Sequence, residues 1–357
     1  MTRPTIIVAG AAGRTGGALV AQLLEKGWPV RAIVRSRDLR SARLERLGAE
    51  TLAADLFDPD QLLQAMQGAQ RAYYCPPFHP HMVQSAAAFA VAAREAKLES
   101  LVGLSQWLAS PSHPALSTRQ HWLVDHLFSM IPGMAHTIIN PGFFADYPYL
   151  SVIKYAALLG IYPMPVDGKS RNAPPSTEDI ARVAAAVLIN PAKHDGRVYR
   201  PTGPKLISVE EIVQILGRVL NRTVRHIELP MWMFLKAARM EGVSALELAN
   251  LPYYFQDLSS GAFEYGAPTD HVLETTGQHP EDFETIARRH ASLPEARQTR
   301  MNSLRLLAEF LTVPLRPGLD QSRFEPERSI PAPSMPQLAM NSQRWRLEHG
   351  SREGELA

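Results

Sequence analysis

Among 357 residues the sequence has a single cysteine, Cys75. No intramolecular disulfide can form, and a reducing compartment is the expectation. No apolar run reaches about 18 residues, the length that a spanning helix needs, so no membrane segment is expected. Charge of one sign is scarce: 37 Lys and Arg stand against 35 Asp and Glu, a formal +2. That excess is too small to argue for a nucleic-acid or membrane partner. Strand-like sequence begins almost at once, which leaves no room for a signal peptide. Metal-ligand spacing is missing as well: His79 and His81 flank Pro80 with no further ligand in step, and His113 stands alone. The expectation left by these absences is a soluble, cytoplasmic protein without a metal. Its hydrophobic content of 45% suffices for a sizeable core.

What is present begins with Ile6-Ile7-Val8-Ala9, an apolar run that breaks into Gly10, Gly13 and Gly16. The apolar-periodic residues Ala18, Leu19, Val20, Leu23 and Leu24 follow. This order reads as buried strand, tight turn and helix. Such a turn lets the backbone approach a pyrophosphate, and the helix N-terminus supplies N–H donors. The strand-to-helix context is what gives a glycine triplet meaning. Gly10, Ala12, Gly13, Arg14, Thr15 and Gly16 are therefore candidate cofactor contacts.

The alternation continues. Strands are expected at Thr5–Ala9, Val30–Val34, Glu50–Ala54, Arg71–Cys75, Ser100–Leu104 and His136–Asn140. Helices are expected between them at Gly16–Lys26, Leu39–Leu47, Pro59–Met66, His81–Ala96 and Ser117–Met130. Strands alternating with helices over short connections predict an α/β fold, a Rossmann-type doubly wound parallel sheet. Ligands of such sheets bind at the carboxyl ends of the strands. Attention therefore falls on Arg35, Asp55, Cys75–Phe78, Ser105–Trp107 and Pro141–Phe144.

The second half is less regular. A helix is expected from Thr177 to about Leu188, and Ser208 with Glu211 forms a capping box that opens another. Pro230–Gly242, Ala245–Asp257 (interrupted by Pro252) and Asp282–His290 also read as helical. Glu295–Phe310 is an amphipathic helix candidate. Pro314, Pro317, Pro326, Pro331, Pro333 and Pro336 then forbid helix and extend the chain. The residues from Asn341 onward are mostly polar. Such a tail reads as disordered, or as a strap wrapping the body or a partner. The expected organisation is a dinucleotide-binding domain over 1–150, a smaller helix-rich substrate-side lobe over 151–293, and a C-terminal helix with a Pro-rich tail over 294–357.

The end of the second strand discriminates between nicotinamide cofactors. An acid there would hold a ribose 2′-hydroxyl; a cation accommodates a 2′-phosphate. Val30-Arg31-Ala32-Ile33-Val34-Arg35 contains no acid. Arg35, together with Arg14 of the glycine turn, argues for NADP(H), because guanidinium groups bind phosphate in a fork. The basic run Arg31–Arg40 is assigned to that phosphate rather than to nucleic acid. Asp55 admits two readings: it accepts from the adenine amino group while Leu56 packs the ring, or it caps the following turn at Asp58-Pro59.

These features together resemble the NmrA-like family, an atypical branch of the short-chain dehydrogenase/reductase superfamily. Gly10–Gly16, Val30–Arg35, Leu47-Gly48-Ala49-Glu50 leading to Asp55, and Gly68-Ala69 carry the resemblance. Asn140-Pro141-Gly142-Phe143-Phe144 looks like the family's turn after strand six. Pro268–Val272 and Thr276–Phe283 look like its C-terminal helical segment. The resemblance covers roughly residues 4–292. It implies NADP(H) at the glycine turn and Arg35, adenine near Asp55, and ribose beside Pro76 and Pro77. It places the nicotinamide near Ser105 and near Pro141, Gly142 and Phe143.

Ordinary members of that superfamily use a tyrosine acid and a lysine four residues later. This chain has no lysine between Glu99 and Ile153 and no tyrosine between Cys75 and Asp146. Counted back from Val124-Asp125, which resembles the family's Val-Glu, the lysine position holds His121 and the tyrosine position Ser117. Two readings stand. In the first, His121 faces the nicotinamide ribose and acts as donor or general acid, while Ser105 or Tyr147 orients a substrate carbonyl. In the second, His121 is a structural helix residue like His126. Trp107, Trp122, Phe78, Phe143, Phe144, Tyr147 and Tyr149 gather near the strand ends, and an aromatic mouth suits a flat apolar substrate. Cys75 has no evident base beside it and reads as a buried apolar residue.

Two functions follow. One is an NADPH-dependent reductase of a small carbonyl, quinone, imine or activated alkene. The other is a catalytically silent NADP(H)-sensing regulator that acts through protein partners, with the tail as partner arm. In either, the C-terminal extension is a candidate homodimer contact. An open aromatic pocket favours the first function, a plugged one the second.

Overall fold

A computed structural model describes residues 3–318, 320 and 323–350. The remainder of the polar terminus, 351–357, lies outside the described residues. Six strands lead the first half: β1 (Ile6–Ala9), β2 (Val30–Val34), β3 (Glu50–Ala53), β4 (Arg71–Tyr74), β5 (Ser100–Leu104) and β6 (Ala135–Ile139). Between them run α1 (Arg14–Glu25), α2 (Leu39–Arg46), α3 (Pro59–Met66), α4 (Met82–Glu95) and α5 (Leu116–Ser129). Expected and observed boundaries agree to within two residues, the usual fraying of element ends.

The second half adds the short strands β7 (Ile161–Met164), β8 (Arg171–Asn172), β9 (Val198–Tyr199), β10 (Ile207–Ser208) and β11 (Arg225–Glu228). Its helices are α6 (Ile153–Leu159), α7 (Thr177–Ile189), α8 (Val209–Val219), α9 (Met231–Met240), α10 (Ala245–Ser259), α11 (His271–Thr276) and α12 (Phe283–Ala291). The extension contributes α13 (Arg300–Thr312) and α14 (Gln343–Gly350).

The main sheet has seven strands in the order β3-β2-β1-β4-β5-β6-β9, all parallel. Strand residues point alternately to its two faces, and the apolar runs supply both. Ile6 and Val8 pack with Val20 of α1 and with Val183 and Val187 of α7. Ile7 and Ala9 pack on the other face with Leu62 of α3, Phe89 of α4 and Phe128 of α5. Helices thus cover both faces, as the unbroken hydrophobicity of these strands requires. Residues 177–199, placed by sequence reading in the second segment, complete the sheet: α7 covers one face beside α1, and β9 pairs with β6.

A separate core holds the C-terminal lobe, with Phe234, Leu251, Phe255 and Phe263 at its centre. Two small sheets, β7–β11 and β8–β10, frame it. Pro252 does not interrupt α10, which runs through it from a Ser244/Glu247 capping box. Strong packing of Leu248, Leu251 and Phe255 offsets the bond that proline removes.

The Pro-rich extension is a strap. A 3-10 turn at Pro294–Ala296 precedes α13, which starts at the Thr299 cap. Leu306 of α13 is buried, whereas Met301, Leu304, Leu311 and Leu315 remain exposed. Further along, Phe324, Ala339 and Trp345 are buried against the body. No helix among the described residues is long and apolar enough to cross a membrane.

Candidate active site

The glycine turn follows from steric demands. Gly10 has φ +77°, a conformation that side chains disfavour. A Cβ on Gly10 would lie 2.9 Å from the Cys75 Cβ at the end of β4, and one on Gly16 would collide with the Gly10 carbonyl oxygen. Glycine therefore lets α1 seat tightly against β1. Helix α1 starts without a side-chain cap and without an acid in its first turn. By contrast α2, α3, α7 and α8 are capped by Asp38, Asp58, Ser176 and Ser208. The first N–H groups of α1 are thus left for an anion, at the point where strand order reverses between β1 and β4.

A cavity of about 790 Å³ opens from this turn. Its near wall comes from strand ends: Gly13, Arg14 and Thr15 after β1, Cys75, Pro76 and Phe78 after β4, Ser105 to Leu108 after β5, and Pro141 to Phe144 and Tyr147 after β6. His121 of α5 joins them. The far wall comes from the second lobe, with Lys154 and Tyr155 of α6, Phe234 of α9, Asn250, Leu251 and Tyr254 of α10, Phe263, and Phe310 of α13. Phe143 stacks on Phe263 with ring centroids 5.0 Å apart.

Most residues singled out from the sequence meet here. Gly13, Arg14, Thr15, Pro76, Ser105, His121, Pro141, Gly142, Phe143 and Tyr147 line the cavity, while Gly10, Ala12 and Gly16 build the turn beneath it. Arg14 and Arg35 do not share a location. The Arg14 guanidinium lies over the Tyr147 ring, 4.8 Å from its centroid, at the cavity. Arg35 is exposed after β2, on the far side of β1, and has no acidic partner among the described residues. Leu56 and Pro77 are half-buried and lie off the cavity wall. Asp55 is exposed and accepts from the Phe57 N–H at 3.0 Å; the cap of α3 is Asp58.

The titratable groups have distinct surroundings. Burial pushes the His121 imidazole down to about 4, and its Nδ1 has no partner, so the ring is neutral at pH 7. Tyr147 is pushed up to about 12, first by burial and then by Glu247, against the pull of Arg14. Ser105 Oγ donates to Asp125 Oδ2 at 2.5 Å. Ser117 is fully buried under α10, its N–H 3.4 Å from Asn250 Oδ1, and does not reach the cavity. Burial raises the Cys75 thiol to about 11, which leaves it unionised. No cluster of metal-ligating side chains exists among the described residues, and His113 is instead bound to Asp257 at 2.8 Å.

Sequence reading missed the far wall. The apolar faces of α9, α10 and α13 are visible as periodicity, but nothing local says that they meet the nucleotide half. Tyr149 and Trp122, expected at the mouth, lie elsewhere: Tyr149 is in the lobe core and Trp122 borders a separate small cavity.

This fold is shared with known proteins. A profile of the NmrA-like family matches residues 2–107. NAD(P)H azoreductase of Xenophilus azovorans is 30% identical over 298 residues, spanning 80% of this chain and 98% of that protein. Triphenylmethane reductase of Citrobacter sp. has the same fold, with TM-score 0.70 at 20% identity over 81% of this chain and all of that one. NmrA, a negative transcriptional regulator solved with NADP, superposes with TM-score 0.63 at 16% identity, over 83% of this chain and all of that one.

Proposed function

The chain belongs to the NmrA-like family, and from that premise we propose that it is an NADPH-dependent reductase of a flat, largely apolar substrate. The substrate classes that suit it are quinones, azo compounds, carbonyls, imines and activated alkenes. The observation that carries the proposal is the open cavity of about 790 Å³ running from the glycine turn to an aromatic wall. The similarity to an azoreductase supports the same reading.

Several features of the chain fit NADP(H). The uncapped N-terminus of α1 would hold the pyrophosphate, and Arg35, without an acidic partner among the described residues, the 2′-phosphate. Asp55, whose carboxylate accepts from one N–H among the described residues, would accept from the adenine amino group with Leu56 beside the ring. Pro76 and Pro77 would border the ribose, and Pro141, Gly142 and Phe143 the nicotinamide. Bound NADPH supplies the hydride. This chain supplies orientation and exclusion of water. Ser105 and Tyr147 would hold the substrate oxygen or nitrogen. Neutral His121, on the cavity wall, would serve as a hydrogen-bond partner of ribose or substrate, not as an imidazolium acid.

The rival reading is a redox-sensing regulator, and likeness of fold to NmrA keeps it in view. A plugged site would favour it, yet among the described residues the strap contributes only Phe310 to the cavity wall and leaves the space open. Incubation with NADPH and 1,4-naphthoquinone, an azo dye or a ketone tests the choice. Loss of NADPH absorbance with any of them is expected. Tight NADPH binding with no oxidation across the panel would favour the regulator. A homodimer through the extension would use the exposed Met301, Leu304 and Leu311 row of α13. Its mass in solution tests that, and a monomer at high concentration refutes it.

A further inference from the structure

Asp125 has no place in the function above, yet it is built into the back of the site. It is 6% exposed on α5, and the one hydrogen bond its carboxylate makes among the described residues is to Ser105 Oγ, at 2.5 Å. Ser105 lines the main cavity, while Asp125 borders a second cavity of about 50 Å³ behind it. The pair therefore bridges the two spaces. The second cavity is large enough for water and has polar walls, so Asp125 can exchange its proton without opening the main site.

Other polar groups border the same small cavity; each has a partner of its own, although Arg200 Nε, His349 Nε2 and Asn140 Oδ1 have none among the described residues. Arg200 donates to the Glu348 main-chain oxygen at 2.8 Å. Glu348 pairs with Arg344 at 3.0 Å. His126 bonds through Nδ1 to the Trp122 carbonyl at 2.8 Å, and His349 through its own Nδ1 to the Trp345 carbonyl at 3.0 Å. Asn140 donates to the Gln106 carbonyl at 2.7 Å. No cation reaches the Asp125 carboxylate directly among the described residues. Burial, with a smaller contribution from Glu348, raises its carboxyl to about 8, against the pull of Ser105. At neutral pH the acid form prevails.

A serine hydroxyl carries one hydrogen. If Asp125 is a carboxylate, that hydrogen is committed to it. If Asp125 is a carboxylic acid, it can donate to Ser105 Oγ and release the hydroxyl hydrogen for another acceptor. We propose that Asp125 is a positioning residue that sets the direction of the Ser105 hydroxyl. Its acid form turns the Ser105 hydrogen into the main cavity to donate to a carbonyl or quinone oxygen; its carboxylate form withdraws it. The site then holds a neutral hydrogen-bond donor where the superfamily's tyrosine and lysine are missing, and that donor is lost in alkali. The inference deepens the reductase reading and rests on it for the kind of oxygen bound.

The test uses the full chain saturated with NADP+, so that no turnover intervenes, and 1,4-naphthoquinone as probe. In the wild type, quinone affinity falls about tenfold as pH rises through about 8, the worth of one buried hydrogen bond. In Asp125→Asn the affinity no longer depends on pH in that range. In Ser105→Ala it is weak at every pH. Melting temperature, measured alongside, confirms that each variant is folded. Infrared difference spectra of wild type against Asp125→Asn show a carboxylic acid band at neutral pH that disappears in alkali. A pH-independent wild type, an unchanged slope in Asp125→Asn, or a missing acid band overturns the proposal. Failure of the reductase reading looks different: quinone binding follows pH as described, but NADPH is not oxidised.

Discussion

Trp345 of α14 donates its indole N–H to the main-chain oxygen of Trp107, 3.0 Å away, and both rings are buried. Trp107 in turn donates its own indole N–H to the Ala262 carbonyl at 2.8 Å. His349 stacks on Trp345 with centroids 4.1 Å apart. Trp107 is two residues beyond Ser105, so the C-terminal helix is fastened to the segment that forms the cavity wall.

That relationship makes the strap part of the fold. Trp345→Ala should cost about 3–5 kcal/mol, the range for truncating a buried aromatic side chain. Thermal unfolding at fixed protein concentration measures it. A melting temperature unchanged from the wild type would show that the strap merely lies on the body.

The strap also shows where sequence reading runs out. Six prolines and a polar end look like disorder, because composition does not reveal that Trp345, Phe324 and Ala339 each find a pocket in a distant part of the chain. The first half was legible for the opposite reason. Ile6 to Ala9 is apolar on both faces, and the following glycines permit only a tight strand-to-helix turn, so the local pattern dictates a parallel sheet. The near wall of the site followed from that topology, since strand ends are fixed once the strands are. Phe234, Tyr254 and Phe310 of the far wall were not legible, because their position depends on how two lobes pack. Pro252 misled in the same way, with packing along α10 outweighing a local breaker.

Arg35 has no acidic partner among the described residues and follows the strand where adenosine phosphates are read. Arg35→Ala should weaken NADPH about tenfold or more, the worth of a charge-assisted bond, and leave NADH nearly unchanged. Titration of both nucleotides by fluorescence gives the ratio. Equal losses would remove Arg35 from the 2′-phosphate site.

Gly16 and Gly17 are neighbours with opposite tolerance. A Cβ on Gly16 collides with backbone of Gly10 and Ala11, whereas one on Gly17 meets only the Ala11 oxygen at 3.4 Å. Gly16→Ala should displace α1, lower stability and abolish dinucleotide binding. Gly17→Ala should be neutral, or stabilising by up to about 1 kcal/mol from helix propensity. Paired melting curves and NADPH titrations decide, and a Gly16→Ala protein that binds normally would contradict the tight seating of α1 on β1.

Acid sensitivity follows from His136, which is buried on β6 with neither ring nitrogen bonded among the described residues. Burial lowers its pKa to about 4, with Asp195 opposing and His126 adding slightly. The unfolded chain takes up this proton near its ordinary value of about 6.5, before the folded chain does. Stability is therefore complete above about 6.5 and is lost as pH falls toward 4, by about 2 kcal/mol at pH 5. His121, also lowered to about 4, adds to this loss, and Asp125 works in the opposite sense, since its raised carboxyl favours the folded state as pH falls from 8, so the wild-type curve alone mixes them. The difference between wild type and His136→Leu isolates the histidine. Denaturant unfolding at pH 7 and pH 5 should show that the variant loses about 2 kcal/mol less on acidification, and parallel pH dependences would rule out His136 as the source.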